Sequence, residues 1–382
     1  MNKLLLIVLV VLMSASAAQA CIWDRDTLAM ERARFPEVNE LIAGYFPRHS
    51  PPYYQWRIEQ VQAIPIDQRK PADYDDLAVS YDKLGQHDQA IATMLAKVER
   101  FPNESIYETH ANLGTFYIHN GDLEQGAQYI GSAIEINQDA HFGREVYQKL
   151  LVEYVIQQRA KGNTLPLNTE EVSPIGYSGQ GFGAFVMEAQ QIEDASDRQA
   201  EADRAIKGVL GMMRFGNYDS PILLEALGDL LRGKGFENAP QRLAVRAYLK
   251  ASYETNDLKA VELYRAKAKR SIGSQEGVSL ESIESKLREE IAKGDEFFDK
   301  IEEHETAWSA AGTDLDEKFN EKFYASEPAL TQSIAAKAMG RVHSLPVQLQ
   351  LLVAILGLIL LCVVIAVVKP LLTRTRGNSD AA

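Results

Sequence analysis

The residues that most resemble a catalytic or ligand-binding motif lie in a glycine-rich stretch, residues 176–183, which contains Ser178. A phosphate-binding loop would end in Lys followed by Ser or Thr, and a dinucleotide fingerprint spaces its glycines at other intervals. A nucleophile elbow needs a preceding strand and a second glycine at the position that Gln180 occupies. We therefore interpret the stretch as a flexible linker that enters a helix near Ala184, and we assign Ser178 no catalytic role.

The histidines and carboxylates form no recognisable catalytic or metal-binding motif. Seven histidines are present, and His110, His119 and His141 lie close together in the chain. No two of them are spaced to place both imidazoles on one helical face, so we predict no metal site and no cofactor. Carboxylates are too abundant to single out an acid and a base. We predict a protein that is not an enzyme, with a cell-wall hydrolase on a helical solenoid as the less favoured alternative.

The composition is that of a globular, acidic protein. Of 382 residues, 46% are hydrophobic and 24% are charged, and the net charge of −13 disfavours nucleic acid as a partner. The two cysteines are Cys21 and Cys362, and the second lies inside a long apolar run, so we expect no disulfide between them. The core must stabilise the fold without cross-links.

The first residues have the pattern of a secretory signal. Lys3 precedes a short apolar run, and small residues follow as far as Ala18-Gln19-Ala20. We predict a signal peptide at residues 1–20 and a mature chain that begins with Cys21. Lipid attachment to Cys21 is the alternative, although the residues before it are not those that lipoprotein signals favour.

A second apolar run begins at Val347 and ends at Val368. At about 1.5 Å per residue, a helix of this length matches a hydrocarbon core of about 30 Å. The short basic tail at residues 369–382 favours a cytoplasmic C-terminus. The sequence therefore predicts a single-pass protein of the bacterial inner (cytoplasmic) membrane with its body in the periplasm. A buried helix of the body is the alternative.

Large and small residues recur between these ends in helix–turn–helix units, with a step of 36 residues from Leu77 to Leu113. A glycine marks each turn, and small residues allow the paired helices to approach closely. The residues that define the first two units are Tyr74, Leu77, Tyr81, Gly85, Ala90, Leu113, Gly114, Tyr117 and Gly121. A third, degenerate unit contains Leu227, Gly228, Ala244 and Tyr248. An irregular helical bundle is the alternative interpretation.

These units resemble tetratricopeptide repeats. The resemblance implies an all-α fold, a helix–turn–helix solenoid, to which we add an N-terminal helical cap and a C-terminal transmembrane helix. The cap is expected because an uncapped solenoid exposes an apolar face. Its many aromatic residues also allow a second interpretation, an aromatic ligand site.

The predicted domains follow one another along the chain. After the signal come the aromatic-rich cap at residues 21–70 and two repeats with a stacking helix at residues 71–161. A Gly, Pro and Ser-rich loop or linker at residues 162–183 precedes a second, degenerate repeat block at residues 184–273. An amphipathic helical segment at residues 279–340 leads to the membrane helix at residues 347–368.

Tetratricopeptide repeats bind peptides on a concave face formed by their first helices, so the resemblance implies a partner-binding groove. By position, the groove would contain Asp75, Val79, Asp82, Glu108, Asn112, Thr115 and His119. One subset of the family holds a peptide's terminal carboxylate with Lys, Asn and Arg, and only Asn112 suits that role. The acidic groove residues instead favour a basic or neutral partner segment.

The functional prediction is a membrane-anchored scaffold of the cell envelope that binds a peptide or protein partner. The spacing of Leu280, Ile283, Leu287 and Ile301 indicates an amphipathic helix. Such a helix either packs on the body or associates with a second copy. Self-association through residues 280–301 would make the protein a homo-oligomeric stalk, which is the alternative function.

Overall fold

The computed structural model describes residues 23–137, 143–169, 181–234, 238–272 and 278–324. The chain divides into two compact units, Met1–Ala325 and Ser326–Ala382, and the second lies entirely outside the described residues. All regular secondary structure in the described residues is helical, which confirms the prediction of an all-α fold.

The first unit is a succession of helices whose starts are set by local chemistry. Ser50 and Ser220 each precede a proline in the first helical turn, where the missing N–H leaves no hydrogen bond unmade. In chain order the helices are α1 (Arg25–Arg32), α2 (Val38–Ala43), α3 (Pro51–Gln62), α4 (Pro71–Lys83), α5 (His87–Arg100), α6 (Ile106–His119), α7 (Leu123–Ile136), α8 (Arg144–Ala160), α9 (Phe182–Ala189), α10 (Ala195–Phe215), α11 (Pro221–Gly233), α12 (Asn238–Tyr253), α13 (Leu258–Ile272), α14 (Leu280–Ala310) and α15 (Leu315–Phe319).

Three helix pairs, α4/α5, α6/α7 and α11/α12, pack as hairpins. Gly85 and Gly121 lie at the first two turns with φ of +73° and +91°, a region that glycine enters without strain. Within the second pair, a Cβ at Gly114 would lie only 2.6 Å from Cδ1 of Ile130. Small residues thus let the paired backbones approach closely in these hairpins.

One hydrophobic core extends across both predicted repeat blocks. Helix α8 packs against α7 and α10, and α10 packs against α11. The largest cluster of buried apolar side chains includes Leu41 near the N-terminus, Leu151 in α8, Leu227 in α11 and Leu287 in α14. The helices from α7 to α14 therefore share one interior with α2, whereas the buried residues of α4, α5 and α6, such as Val79, Met94 and Phe116, form a separate cluster.

The predicted linker at residues 162–183 is partly anchored to the third hairpin, α11/α12. The Glu225 carboxylate accepts hydrogen bonds from the backbone N–H groups of Leu167 and Asn168, at 2.8 and 3.2 Å. The buried Lys267 pairs with Glu225 at 2.7 Å and with Asp229 at 3.0 Å. Residues 170–180, which include Ser178, lie outside the described residues.

Helix α14 returns to the beginning of the chain. It packs against α2 and α3 as well as α12, with Ile283, Leu287 and Ile301 buried. The carboxylate of Glu305, which is fully buried, accepts hydrogen bonds from the backbone N–H and hydroxyl of Ser50 and contacts His49. The apolar face predicted at residues 280–301 is thus covered by the same chain.

The N-terminal helices do more than cover one end of the hairpins, as the predicted cap would. Helix α3 packs on α4, the position expected of a cap, but α2 packs against α10, α12 and α14. The segment that leads into α1 lies against α4 and α6, because Trp23 and Arg25 form hydrogen bonds with side chains of those helices.

The predicted single-pass localisation requires correction. In the part of the chain that the structure describes, no helix combines the length with the apolar character needed to cross a membrane. The predicted signal peptide at residues 1–20 and the predicted membrane helix at residues 347–368 both lie outside the described residues.

Candidate functional site

The first helices of the two hairpins, α4 and α6, lie side by side and carry the predicted groove residues. Asn112 on α6 binds an extended piece of backbone there. Its side-chain oxygen accepts a hydrogen bond from the N–H of Trp23 at 2.8 Å, and its Nδ2 donates to the carbonyl of Trp23 at 3.1 Å. An amide that meets both polar groups of one residue recognises peptide backbone whatever the side chain. In this structure the recognised peptide is the protein's own N-terminal segment.

Further contacts fix that segment on α4 and α6. The N–H of Arg25 donates to the Asp76 carboxylate at 3.1 Å, and the Trp23 ring meets Tyr107 edge to face, with ring centroids 6.5 Å apart. The Asp24 carboxylate pairs with the buried guanidinium of Arg57. Burial would raise the pKa of Asp24, but the charge and hydrogen bond of Arg57 outweigh it and lower that pKa.

Asp75 is held inside the first hairpin. Both of its oxygens accept hydrogen bonds from Nζ of Lys97 on α5, each at 2.7 Å, and Nδ2 of Asn112 donates to one of them at 3.1 Å. Burial raises the pKa of Asp75 to about 7, although the charge of Lys97 opposes that change. Asp75 therefore links α5 to the backbone-binding amide of α6.

Asp82 lies where three helices meet. It belongs to the last turn of α4, and its carboxylate contacts Nδ1 of His87 at 2.8 Å and Nδ1 of His119 at 2.9 Å. Burial would raise the pKa of Asp82, but the charge and hydrogen bond of His119 and the hydrogen bond of His87 hold it below its usual value. The hydrogen bond to Asp82 is also the main cause that raises the pKa of His87.

A cleft of about 350 Å³ opens beside this region, between α6, α8, α10 and the start of α11. We call it the α6–α10 cleft. Its apolar walls include Ile118, Leu151, Val155, Phe215 and Ile222. Such a volume, with mostly apolar walls and a few polar groups, suits a ligand side chain or a small molecule.

The charged side chains that line the α6–α10 cleft are arginines. Arg144, Arg159 and His119 line it, and none of the described lining residues is Asp or Glu. The side chain of Thr115 also lines the cleft and accepts a hydrogen bond from Gln148 at 3.1 Å. The cleft thus differs in charge from the protein as a whole.

A second cavity, of about 280 Å³, lies on the other side of the loop between α10 and α11. Lys83 lines this second cavity and donates to the carbonyls of Phe215 and Gly216 at the start of that loop, at 2.5 and 2.9 Å. The wall of this second cavity includes His49, whose ring lies between Asp26 and Glu305.

The predicted groove residues therefore lie in different surroundings. Asp75, Val79 and Asn112 are buried beneath or beside the N-terminal segment, and Asp82 is buried with the two histidines. Glu108 is half-buried, and Thr115 and His119 line the α6–α10 cleft. That these residues bind a partner stays a prediction.

Sequence reasoning missed the approach of His87 to His119. The repeat step contained the signal. His119 lies 36 residues after Lys83, so the two residues are equivalent in the two hairpins, and Lys83 directly follows Asp82. A search for histidine pairs within one helix could not detect residues that meet across neighbouring hairpins.

The α6/α7 hairpin, with its glycine turn and the close approach at Gly114, can be compared with known repeat families. Residues 107–139 match the family model of the tetratricopeptide repeat. This tetratricopeptide repeat coincides with the second predicted unit and supports the resemblance seen in the sequence. Such repeats generally bind protein partners. No curated protein matches the chain.

Proposed function

We propose that the protein binds an extended segment of a partner protein, with an apolar side chain of that segment inserted in the α6–α10 cleft. The observation that carries this proposal is the double hydrogen bond between Asn112 and the backbone of Trp23. The same helix face continues from Asn112 through Thr115 to His119, and both of these line the cleft. The face that holds one extended segment is therefore continuous with an open apolar cleft.

The partner segment suited to this cleft is apolar with neutral or acidic flanks. Arg144 and Arg159 favour carboxylates near the cleft by charge complementarity. The prediction of a basic or neutral segment depended on carboxylates such as Asp75 and Asp82, which are occupied by Lys97 and by the two histidines. A neutral segment agrees with both the sequence-based prediction and the charge of the cleft, and the arginines of the cleft favour an acidic flank.

The test is a selection of peptides from a random library on the full-length chain, followed by affinity measurement by fluorescence anisotropy. Ile222→Asp places a carboxylate in the apolar wall of the cleft, so we expect the selected peptides to bind at least about tenfold more weakly, a loss of about 1.4 kcal/mol. Leu258→Asp is the matched control, because Leu258 is 84% exposed and lies outside the cleft.

The proposal requires wild type and Leu258→Asp to bind alike and Ile222→Asp to bind more weakly. Equal binding by all three proteins would contradict it, as would a failure of the selection to enrich any peptide on the wild-type chain. Circular dichroism of the variants establishes that each remains folded.

A further inference from the structure

Three side chains with metal-binding atoms converge where the first two hairpins meet. Asp82 lies in the last turn of α4, His87 is the first residue of α5 and His119 is the last residue of α6. One ligand atom from each residue lies within 4.8 Å of the ligand atoms of the other two. The two imidazole rings face the same carboxylate, with their centroids 5.7 Å apart and their planes inclined by 60°.

We propose that Asp82, His87 and His119 form a binding site for a divalent transition-metal ion, best matched by Zn²⁺. Two imidazole nitrogens and one carboxylate oxygen are ligands that Zn²⁺ commonly takes in proteins. This site does not depend on the proposed peptide-binding function, and it goes beyond the sequence-based expectation that no metal is bound.

The observed distances are close to those that Zn²⁺ requires. With metal–ligand distances of about 2.0–2.2 Å and tetrahedral geometry, neighbouring ligand atoms lie about 3.3–3.6 Å apart. The Asp82 oxygens lie 2.8–3.0 Å from the two Nδ1 atoms. Each imidazole would have to move about 0.5 Å from the carboxylate, while the metal replaces the protons that the hydrogen bonds share. The ligand atoms of the two histidines lie within 4.8 Å of each other.

Burial and access also suit a metal ion. The Asp82 side chain is only 2% exposed, which fixes the carboxylate, whereas each imidazole is 28% exposed. Three protein ligands leave a fourth tetrahedral position for water or another ligand. Because the ligands come from α4, α5 and α6, the ion would tie the end of the first hairpin to the second. His119 also lines the α6–α10 cleft, so the ion would lie beside it.

The test is titration of the metal-free, full-length protein with Zn²⁺ by calorimetry and with Co²⁺ by visible spectroscopy. We expect His87→Gln and His119→Gln each to weaken binding at this site by more than about 100-fold, since changes to residues outside the ligand shell already cost about 10–100-fold. Glutamine retains an N–H that can donate to Asp82, so the variants preserve the hydrogen bond and remove the metal ligand. His110→Gln is the matched control, a histidine of α6 that lies outside the cluster, with its ring centroid 5.7 Å from that of Tyr129.

The expected result is that wild type and His110→Gln bind one more equivalent of Zn²⁺ than His87→Gln and His119→Gln do. Co²⁺ should produce tetrahedral absorption bands only in the first pair, and Zn²⁺ should raise their melting temperature more than it raises that of the second pair. Equal stoichiometry in all four proteins, or no tight binding by wild type, would overturn the proposal. It would leave the peptide-binding proposal intact.

Discussion

Asn112 illustrates how much one side chain can organise. It is fully buried, and its amide joins the carboxylate of Asp75 to the backbone of Trp23, which lies 89 residues earlier in the chain. The Asp75 carboxylate is in turn held in place by a hydrogen bond from Nζ of Lys97. The backbone-binding amide is therefore oriented by a buried ion pair in the neighbouring hairpin.

The Asp75–Lys97 pair gives a prediction about stability. Lys97→Met removes the cation and leaves Asp75 buried without it, so we expect the free energy of unfolding at about pH 9, where an Asp75 of pKa about 7 is ionised in the wild type, to fall by about 3–5 kcal/mol. Denaturation in guanidinium chloride measures it. The double variant Asp75→Asn with Lys97→Met removes both charges and should recover part of the loss. A double variant no more stable than Lys97→Met would contradict the assignment.

His49 gives a prediction about pH. Burial lowers the pKa of His49, but the charges and hydrogen bonds of Asp26 and Glu305 outweigh it and raise that pKa to about 9, from an ordinary 6.5. A raised pKa in the folded state stabilises the protein fully below about pH 6.5, and the stabilisation is lost as the pH rises through about 9. Its magnitude is on the order of 3 kcal/mol.

The comparison that isolates this effect is wild type against His49→Gln, which cannot titrate. Urea denaturation at about pH 6 and about pH 10 should show the stability advantage of wild type shrinking at the higher pH. An advantage that stays constant over this range would show that His49 is not protonated in the folded protein.

At the scale of elements, the hairpins depend on glycines at points of close contact. Gly114 on α6 meets Ile130 on α7, where a Cβ would lie 2.6 Å from Cδ1 and 2.9 Å from the backbone nitrogen. Side-chain motion relieves the first contact, but only a shift of the helix relieves the second. The separation of α6 and α7 is thus set by the absence of a side chain.

Gly114→Ala should therefore destabilise the protein by about 1–3 kcal/mol through overpacking. The matched control is Gly131→Ala on α7, where a Cβ would meet only the end of the Lys149 side chain, at 3.5 Å. That change should be neutral or stabilise by up to about 1 kcal/mol, because alanine favours helix. Thermal unfolding of the two variants tests the prediction, and a similar loss in both would refute the packing argument.

The sequence predicted the hairpins because their signals are local. The same residue types recur 36 positions apart, as at Leu77 and Leu113 and at Gly85 and Gly121. Residues at equivalent positions of adjacent repeats pack in the same way. The surroundings of Asn112 could not be predicted in this way. Its main partner, Trp23, lies outside the repeats, and no periodicity indicates which segment will lie against α6.

At the scale of the first unit, α14 closes the succession of helices by packing on α2 and α3. The sequence showed that residues 280–301 have an apolar face but left open whether that face packs on the body or on a second copy. The deciding contacts, such as Ser50 with Glu305, join residues 255 positions apart. Such pairings depend on the whole path of the chain, which local patterns do not encode.

Gly294 tests the closure. A Cβ at this position would lie 2.3 Å from the carbonyl oxygen of Ala43, so Gly294→Ala should push α14 away from α2. We expect a loss of about 1–3 kcal/mol in the free energy of unfolding and faster hydrogen exchange in α2 and α3. Lys293→Ala, at an exposed neighbouring position, should change neither. Unaltered exchange in α2 of the Gly294 variant would contradict a role for this contact in closure.

The segment at Trp23 also has a consequence for competition. Because it is part of the chain, it presents its backbone to Asn112 at an effective concentration on the order of millimolar, whatever the concentration of the protein. A free peptide with the same affinity for Asn112 would have to exceed that concentration before it displaced the segment. A partner of ordinary abundance is therefore excluded from the Asn112 amide by mass action, and the accessible part of this surface is the part that the segment leaves uncovered.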